Sequence, residues 1–198
     1  MDAHAPPDRP AGNRERLERA ALEAVARRGL AGLSFRTLAD EIGVKSSSVH
    51  YHFPAKADLV GALIERYAGS FAGRLDEIAA SSGPLHARIE AFVDLFDETG
   101  AAGRMCLCGM LAAETERLDE SSRRRLGTWF EDTERWLETQ FETSPHALAT
   151  PLAPRALARA LMSGLEGALL LDRTGRAGRH ARLDAQRALA LSWLAGTD

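Results

Sequence analysis

The chain has 198 residues, of which 45% are hydrophobic and 27% charged, a composition typical of a globular protein with a real core. Its longest apolar runs, such as residues 167–171, are far shorter than the roughly 20 residues of a membrane span, so no membrane segment is predicted. The net charge of −3 excludes a strongly basic protein, yet no acidic residue lies between Ile42 and Ala57, which leaves one local stretch suited to a polyanion.

Residues 1–12 are rich in Pro, Ala and charge and are predicted to be a disordered tail. No apolar stretch follows the charges there, which predicts the absence of a signal peptide and a cytoplasmic location. From Asn13 onward an apolar stripe at positions 17, 20, 21, 24 and 25 predicts a first helix, which Gly29 ends.

Two short helices are predicted next. One begins after Ser34, a typical N-cap residue, and ends at Gly43, a typical residue after a helix. The other covers "SSSVHYHF", with Ser46 or Ser47 as its cap, and stops before Pro54 because the residue preceding a proline is pushed out of the helical region.

The remainder also has helical periodicity, and no run is typical of a β-strand. The apolar stripes predict a long helix over 55–80, then helices over 85–98, 105–114, 119–141, 155–172 and 184–196, with loops at 99–104 and around Pro145, Pro151 and Pro154. We therefore predict an all-α fold of about nine helices, divided into the tail, a DNA-binding domain over 13–58 and a second domain over 59–198.

The two short helices have the shape of a helix-turn-helix. Ala39 is small where the helices cross, Gly43 allows the sharp turn, and Val44 and Val49 fill the space beneath. In such a unit the second helix lies in the DNA major groove, so its Ser, His and Tyr side chains would face phosphates and base edges.

The stretch "SFRTLADEIGVKSSSVHYHFPAKADLV" resembles the DNA-binding domain of the TetR family of bacterial transcriptional regulators. The similarity spans about residues 13–62 and includes a Ser-x-Arg start, Ala-x-x-x-Gly-Val, an aromatic-His-Phe end and a lysine before a long helix. The resemblance implies a homodimeric repressor that binds palindromic double-stranded operator DNA and is released by a small-molecule effector. The second domain matches this family in architecture only.

The resemblance also implies which residues meet DNA. They are a second-helix pair, the start of the recognition helix, its aromatic and histidine positions, and a phosphate-binding lysine: Arg36, Thr37, Ser46, Ser47, Ser48, His50, Tyr51, His52 and Lys56. His50 stands where the family most often has tyrosine. Arg36 as a solvated charge and Tyr51 as a buried packing residue stay open as alternatives. A metal pair of His50 and His52 is disfavoured, because i and i+2 point about 200° apart on a helix.

A regulator of this kind needs an input, and the second domain offers aromatic and thioether side chains suited to an apolar ligand cavity. The candidates are Phe92, Phe96, Met105, Met110, Trp129, Phe130 and Met162, with Glu166 as a polar group inside an apolar helix. Ordinary core packing is the alternative for the apolar residues, and an interface hydrogen bond is the alternative for Glu166.

Cys106 and Cys108 are the whole cysteine content, which does not fit a secreted disulfide framework. They are possible redox residues, since Arg104 and a nearby helix start could lower a thiol pKa. The segment is apolar, however, and a free cysteine commonly packs as a small hydrophobe, which is the interpretation we favour.

The last two helices carry wide apolar stripes and are predicted to pair with their two-fold copies in a dimer. The predicted contact residues are Leu157, Leu161, Leu165, Leu169, Leu183, Leu191 and Leu194. No nucleophile–base pair, metal signature or phosphate loop is present, so no catalytic residue, metal or cofactor is predicted. An activator, or an all-α ligand-binding protein or enzyme with a vestigial helix-turn-helix, is the alternative function.

Overall fold

Helices make up almost all the regular structure of this computed structural model, which describes residues 12–81, 83–143, 148–175 and 180–194. Nine α-helices and two short 3₁₀ turns, at Leu30–Gly32 and Thr115–Arg117, occur in those ranges, and no strand does. The all-α prediction of about nine helices is confirmed. The predicted tail lies, except for Gly12, outside the described residues.

Helices α1 (Asn13–Arg28), α2 (Phe35–Ile42) and α3 (Ser46–His52) form the N-terminal unit. The predicted cap of α2 is confirmed, because the Ser34 hydroxyl accepts the Thr37 N–H at 3.4 Å and Gly43 adopts φ 71° after its last turn. The predicted cap of α3 is wrong. Ser46 is already helical, Lys45 occupies the cap position, and no side chain caps this helix.

Helix α4 (Lys56–Ala80) runs from the N-terminal unit into the rest of the molecule. Near its start Arg66 pairs with Glu18 of α1 at 3.2 Å, and further along Arg74 pairs at 3.1 Å with Glu98 of the following helix. The helix is continuous through the predicted boundary at residues 58 and 59, so it joins the two predicted domains rigidly.

The remaining helices are α5 (Leu85–Ala101), α6 (Leu107–Ala112), α7 (Glu120–Glu142), α8 (Pro154–Asp172) and α9 (Ala181–Ser192). Helix α5 extends three residues into the predicted loop over 99–104, and Gly103 with φ 67° follows its end. Pro154 is the first residue of α8 and not part of a loop, since a proline at this position loses no helical hydrogen bond. Pro145 lies outside the described residues.

The C-terminal helices pack α4 against α7, α7 against α8, and α9 against α5 and α8. Arg155 of α8 pairs with Glu138 of α7 at 3.0 Å. No helix in the described ranges is long and apolar enough to cross a membrane.

The leucines predicted to contact a second copy face the protomer's own core. Leu157, Leu161 and Leu165 are fully buried, Leu169, Leu183 and Leu194 are at most 4% exposed, and Leu191 is partly exposed. A side chain with almost no accessible surface in one protomer cannot touch another, so the six buried leucines are wrong as contact residues, while Leu191 stays a prediction. The exposed leucines of the same two helices are Leu170, Leu171 and Leu189.

Candidate DNA interface and interior ligand site

The outer face of helix α3 carries exposed polar side chains, and buried residues on its inner face hold it in place. Val49 and Phe53 are buried beneath it, and the guanidinium carbon of Arg14 lies 5.0 Å above the Phe53 ring. Val44 N–H donates to the Ala39 carbonyl at 2.9 Å, which closes the turn between α2 and α3. The helix is therefore held from below while its outer face stays open.

Most of the predicted DNA-contacting residues lie on that open face. Ser46, Ser47, His50 and Tyr51 are exposed, and Tyr51 at 83% cannot be the buried packing residue of the alternative interpretation. Ser48 and His52 are partly buried. The His50 ring packs edge-on against Phe35 at 5.0 Å, which orients the imidazole at the junction of α2 and α3.

The remaining candidate DNA-binding residues differ in whether they already have a partner within the protein. Arg36 and Thr37 are exposed in the first turn of α2, close to the chain entering the turn unit. Lys56 instead reaches back, and its ammonium donates to the Leu30 carbonyl at 2.7 Å. Burial lowers the pKa of Lys56, and the charge of Arg117 lowers it further. Lys56 thus has a partner within the protein before any phosphate approaches.

A groove of about 690 Å³ opens between α4 and α7. Small residues of α4, namely Ala68, Gly69 and Ala72, leave room for it, while Phe71, Trp129 and Trp136 form its apolar wall. Charged residues stand at its rim, where Arg125 pairs with Glu65 at 2.9 Å. A mostly apolar cleft with a few polar groups is the usual form of a small-molecule site.

The predicted ligand residues separate into three places. Phe92, Phe96, Trp129 and Phe130 join one ring cluster with Tyr67, Phe71 and Trp136, in which neighbouring centroids lie 4.8 to 6.3 Å apart. Of the predicted set only Trp129 lines the groove. Met105 donates its N–H to Ala26 of α1 at 2.9 Å, Met110 lies beside Gly29, and Met162 is buried in α8.

Glu166 reaches from α8 to the start of α6. A Cβ on Gly109 would lie 2.0 Å from its Oε2, so the carboxylate approaches α6 only because residue 109 is glycine. Burial raises the pKa of Glu166 to about 7, and a hydrogen-bonding interaction with the Cys106 thiol acts in the opposite direction. A carboxyl with this pKa exchanges its proton near neutral pH.

The two thiols beside Glu166 are buried and neutral. Burial raises the pKa of Cys106 and of Cys108 well above the usual thiol range, and the Glu166 charge raises both further. The Tyr67 hydroxyl donates to the Cys106 sulfur at 3.4 Å. Since the thiolate is the reactive form, this setting supports the packing interpretation over redox reactivity.

Several groove residues were missed by sequence reasoning. Phe71 of α4 and Trp136 of α7 were not among the predicted ligand residues. The available signal was the run of small residues on α4, because Ala68, Gly69 and Ala72 lie on one face and leave space beside large aromatic rings.

Contacts around α6 connect this interior to the end of α1. Leu30 N–H donates to the Glu114 carboxylate at 3.2 Å, and a Cβ on Gly29, which has φ 67°, would lie 2.0 Å from that same oxygen. Arg104 pairs with Glu23 of α1 at 3.4 Å. Both ends of the segment from Arg104 to Glu114 therefore contact the N-terminal unit, through Glu23 and Leu30, while its middle lies against Glu166.

Comparison with known proteins points to one family. The profile described as "Bacterial regulatory proteins, tetR family" matches residues 18–63. The chain is 32% identical over 161 residues to the transcriptional regulator AcuR of Cereibacter sphaeroides, covering 78% of this chain and 73% of that protein. It is 33% identical over 82 residues to the HTH-type transcriptional repressor KstR2 of Rhodococcus jostii, covering 41% of this chain and 40% of that one.

The whole architecture is also found among solved structures. A TetR transcriptional regulator from Legionella pneumophila superposes with a TM-score of 0.83 at 29% identity, covering 91% of this chain and 96% of the other. The similarity therefore extends beyond the helix-turn-helix to the arrangement of the C-terminal helices.

Proposed function

Starting from the chain's membership of the tetR family, and hence its role as a DNA-binding transcriptional regulator, we propose that it is a homodimeric repressor, released from a palindromic operator by a small molecule. The observation that carries the DNA part is the open face of α3, where Ser46, Ser47, His50 and Tyr51 project from a buried base. Hydroxyl and imidazole groups are suited to phosphates and base edges. The repressor named KstR2 supports the direction of regulation.

The same residues define the expected contacts. Arg36 and Thr37 would approach the DNA backbone or a base from the start of α2, beside the α3 row and His52. Lys56 would contact phosphate only by leaving the Leu30 carbonyl or by sharing its ammonium with it. An ammonium has three donors, so sharing is compatible with its chemistry.

A homodimer brings two recognition helices to one operator, since two-fold protein symmetry matches a palindrome with half-sites about 34–36 Å apart. The exposed Leu170, Leu171 and Leu189, with the partly exposed Leu191, support a contact surface on α8 and α9. Small residues there, including Gly167 and Ala185, border a shallow cleft that would let partner helices approach closely.

The groove between α4 and α7 is the proposed effector site. Its wall includes Trp129 and Phe71, and α4 leads directly from this wall to Lys56 beside the DNA-facing unit. A ligand can shift the equilibrium only through its different affinities for two states, so it must prefer the arrangement that misfits the operator. The contacts of Glu114 and Arg104 with α1 supply a second connection along which α6 would act.

This protein would act in the cytoplasm and would not be an enzyme. Among the described residues no group of three or more His, Cys, Asp or Glu side chains is placed to hold a metal ion. The buried thiols are neutral and face a carboxyl, an arrangement that supports packing or ligand recognition and not nucleophilic chemistry.

A gel-shift experiment with promoter DNA from beside its own gene tests the proposal. The protein should retard that DNA, repress transcription in vitro, and release the DNA when a small-molecule fraction of host-cell extract is added. Gly69→Leu, which fills the groove, should reduce release without weakening DNA binding. Gly73→Leu is the matched control, because Gly73 lies on the same helix, in open space and outside the groove.

Two outcomes would contradict parts of the proposal. If the protein raises transcription from the bound promoter, it is an activator. If Gly69→Leu and Gly73→Leu respond equally to the extract, the effector binds elsewhere than in the α4–α7 groove.

A further inference from the structure

Glu166 is a buried carboxyl for which the described part of the chain provides no counter-charge. Part of its stem reaches the surface, but both carboxylate oxygens are buried and neither makes a well-formed hydrogen bond among the described residues. The Cys106 thiol lies close enough to favour the charged carboxylate, but it is not a cation. Glu18 shows the alternative, since it is also buried yet pairs with Arg14 at 3.0 Å and Arg66 at 3.2 Å. A buried charge without a partner is costly and marks a position where a further group is missing.

Among the described residues, the groups that surround Glu166 carry no charge. Cys106 and Cys108 lie against it, and burial raises the pKa of both thiols and of the Tyr67 hydroxyl, so all three are neutral at pH 7. Gly109 provides backbone and no side chain. The site therefore has negative charge and hydrogen-bond acceptors to offer, and no cation of its own.

Aromatic rings separate this carboxyl from the α4–α7 groove. Tyr67 lies behind the groove wall, with its ring centroid 6.0 Å from that of Phe71 and 5.8 Å from that of Trp129. The indole Nε1 of Trp129 is buried without an acceptor, so no hydrogen bond opposes rotation of that ring. Aromatic faces attract cations through the ring quadrupole, and a carboxylate in a dry site attracts them strongly.

We propose that the effector is a small organic cation, an ammonium or amidinium on an apolar or aromatic body, whose charged head pairs with Glu166 while its body packs against Tyr67, Phe71 and Trp129. The cation enters from the groove as the Trp129 ring turns aside. An anion is repelled by Glu166, and a neutral molecule of the same shape leaves the carboxyl without its counter-charge. The role of this cation as an effector rests on the proposed repressor function, whereas its binding does not.

Binding can be measured without DNA. Titration calorimetry of the full chain at pH 8 would use benzylammonium, benzamidinium and 2-phenylethylammonium as probes, with neutral benzyl alcohol and anionic benzoate as shape controls. At least one cation should bind about tenfold or more tightly than the alcohol, and benzoate should bind least. Lowering the pH to 6 should weaken cation binding by about tenfold, because Glu166 with a pKa of about 7 takes up a proton.

Glu166→Gln keeps the shape of the side chain and removes its charge, so it should fold and lose the preference for the cation. Glu131→Gln is the matched control, since Glu131 is an exposed carboxylate of α7 outside the groove lining. A melting experiment on both variants confirms folding. The proposal is wrong if no cation binds better than benzyl alcohol, or if Glu166→Gln retains the preference.

The two proposals fail separately. If the cation binds through Glu166 while neither the cation nor the host-cell extract releases promoter DNA, the site stands and the ligand-released repressor is disproved. If host-cell extract releases DNA while no cation shows a preference for wild type, the repressor stands and the cation site is disproved.

Discussion

Polar groups are arranged differently in the DNA-facing region, helices α1 to α4, and in the C-terminal helices. In α1 to α4 the buried Glu18 has two arginine partners, and the unpaired polar side chains of α3 point outward. Among the described residues, the buried side-chain polar atoms without a hydrogen-bond partner all follow Leu85, and they include Trp129 Nε1 and both oxygens of Glu166. In the first region the buried polar groups have partners and the polar side chains of α3 face outward, which suits a rigid DNA-binding surface. In the second region some buried polar groups have no hydrogen-bond partner.

This difference indicates that the first region is arranged for stability and the second for a response to a ligand. Unsatisfied buried groups reduce the free energy of unfolding, and they are expected where a protein departs from the rules of a well-packed core for a function. A ligand that supplies the missing partner then stabilises one arrangement selectively. Four predictions test whether the two regions differ in this way.

We expect the largest effect at the proposed dimer surface, which lies outside the buried cores of both regions. Leu171→Glu should weaken dimerisation by about a thousandfold or more, because a carboxylate would be buried between protomers without a partner. Leu152→Glu is the control, as Leu152 is equally exposed but precedes α8. Sedimentation at micromolar concentration checks this, and a wild-type monomer would refute the dimer itself.

Removing the unpaired charge should stabilise the C-terminal region at high pH. The folded-state pKa of Glu166, about 7, is raised above the usual glutamate value of 4.5, so its contribution to stability is full below about pH 4.5 and is lost as pH rises through 7. At pH 8 Glu166→Gln should therefore be more stable than wild type by up to about 3 kcal/mol, with little difference near pH 4.5. Denaturant unfolding across this range checks the sign. A pH-independent difference would contradict the burial of a charged carboxyl.

On the outer face of the first region, a new negative charge should repel DNA. Ser47→Glu on α3 is expected to weaken binding to promoter DNA by about a hundredfold, through repulsion by the phosphates. Ser70→Glu makes the same change at an exposed position in the middle of α4 and should leave binding almost unaltered. Fluorescence anisotropy in about 0.1 M salt checks both. Equal losses would mean that net charge, and not the α3 face, governs binding.

The smallest effect concerns the lysine that already has a partner. Each phosphate contact adds about 0.9 to the slope of log affinity against log salt. Lys45→Ala, which removes an exposed lysine just before α3, should lower the slope by about this amount. Lys56→Ala should lower it by less, because its ammonium is bound to the Leu30 carbonyl at 2.7 Å. A full change for Lys56→Ala would show that its ammonium contacts a phosphate, either by leaving that carbonyl or by sharing its donors.

The sequence was most informative where structure depends on neighbours along the chain. The Ser34 cap, the left-handed Gly43 and the long helix from Lys56 follow from local signals and were predicted correctly. The cap of α3 was predicted wrongly, because three consecutive serines offer several equivalent starts and the turn from Gly43 decides among them. The end of α5 was predicted too early because the Thr-Gly-Ala-Ala-Gly sequence after Glu98 resembles a loop.

Which face of a helix meets which neighbour was decided only by the tertiary structure. The stripe of Leu157, Leu161 and Leu165 fits a dimer interface and a protomer core equally well, and packing of α8 against α7 and α9 buries it inside. The aromatic residues were predicted as a ligand lining, but the groove depends on small residues of α4 lying opposite Trp129 of α7, which are distant in sequence.

By itself, the sequence determined the helical fold, the helix-turn-helix and the exposed polar face of α3, because caps, turns and amphipathic periodicity act over a few residues. Contacts between distant elements place the Lys56 ammonium on the Leu30 carbonyl, bury six of the seven predicted dimer leucines, and leave Glu166 beside Cys106 without a counter-charge. The physical reason is that burial and partnership of a side chain depend on elements far away in the chain. A sequence pattern shows that a helix has an apolar face, but not what covers that face.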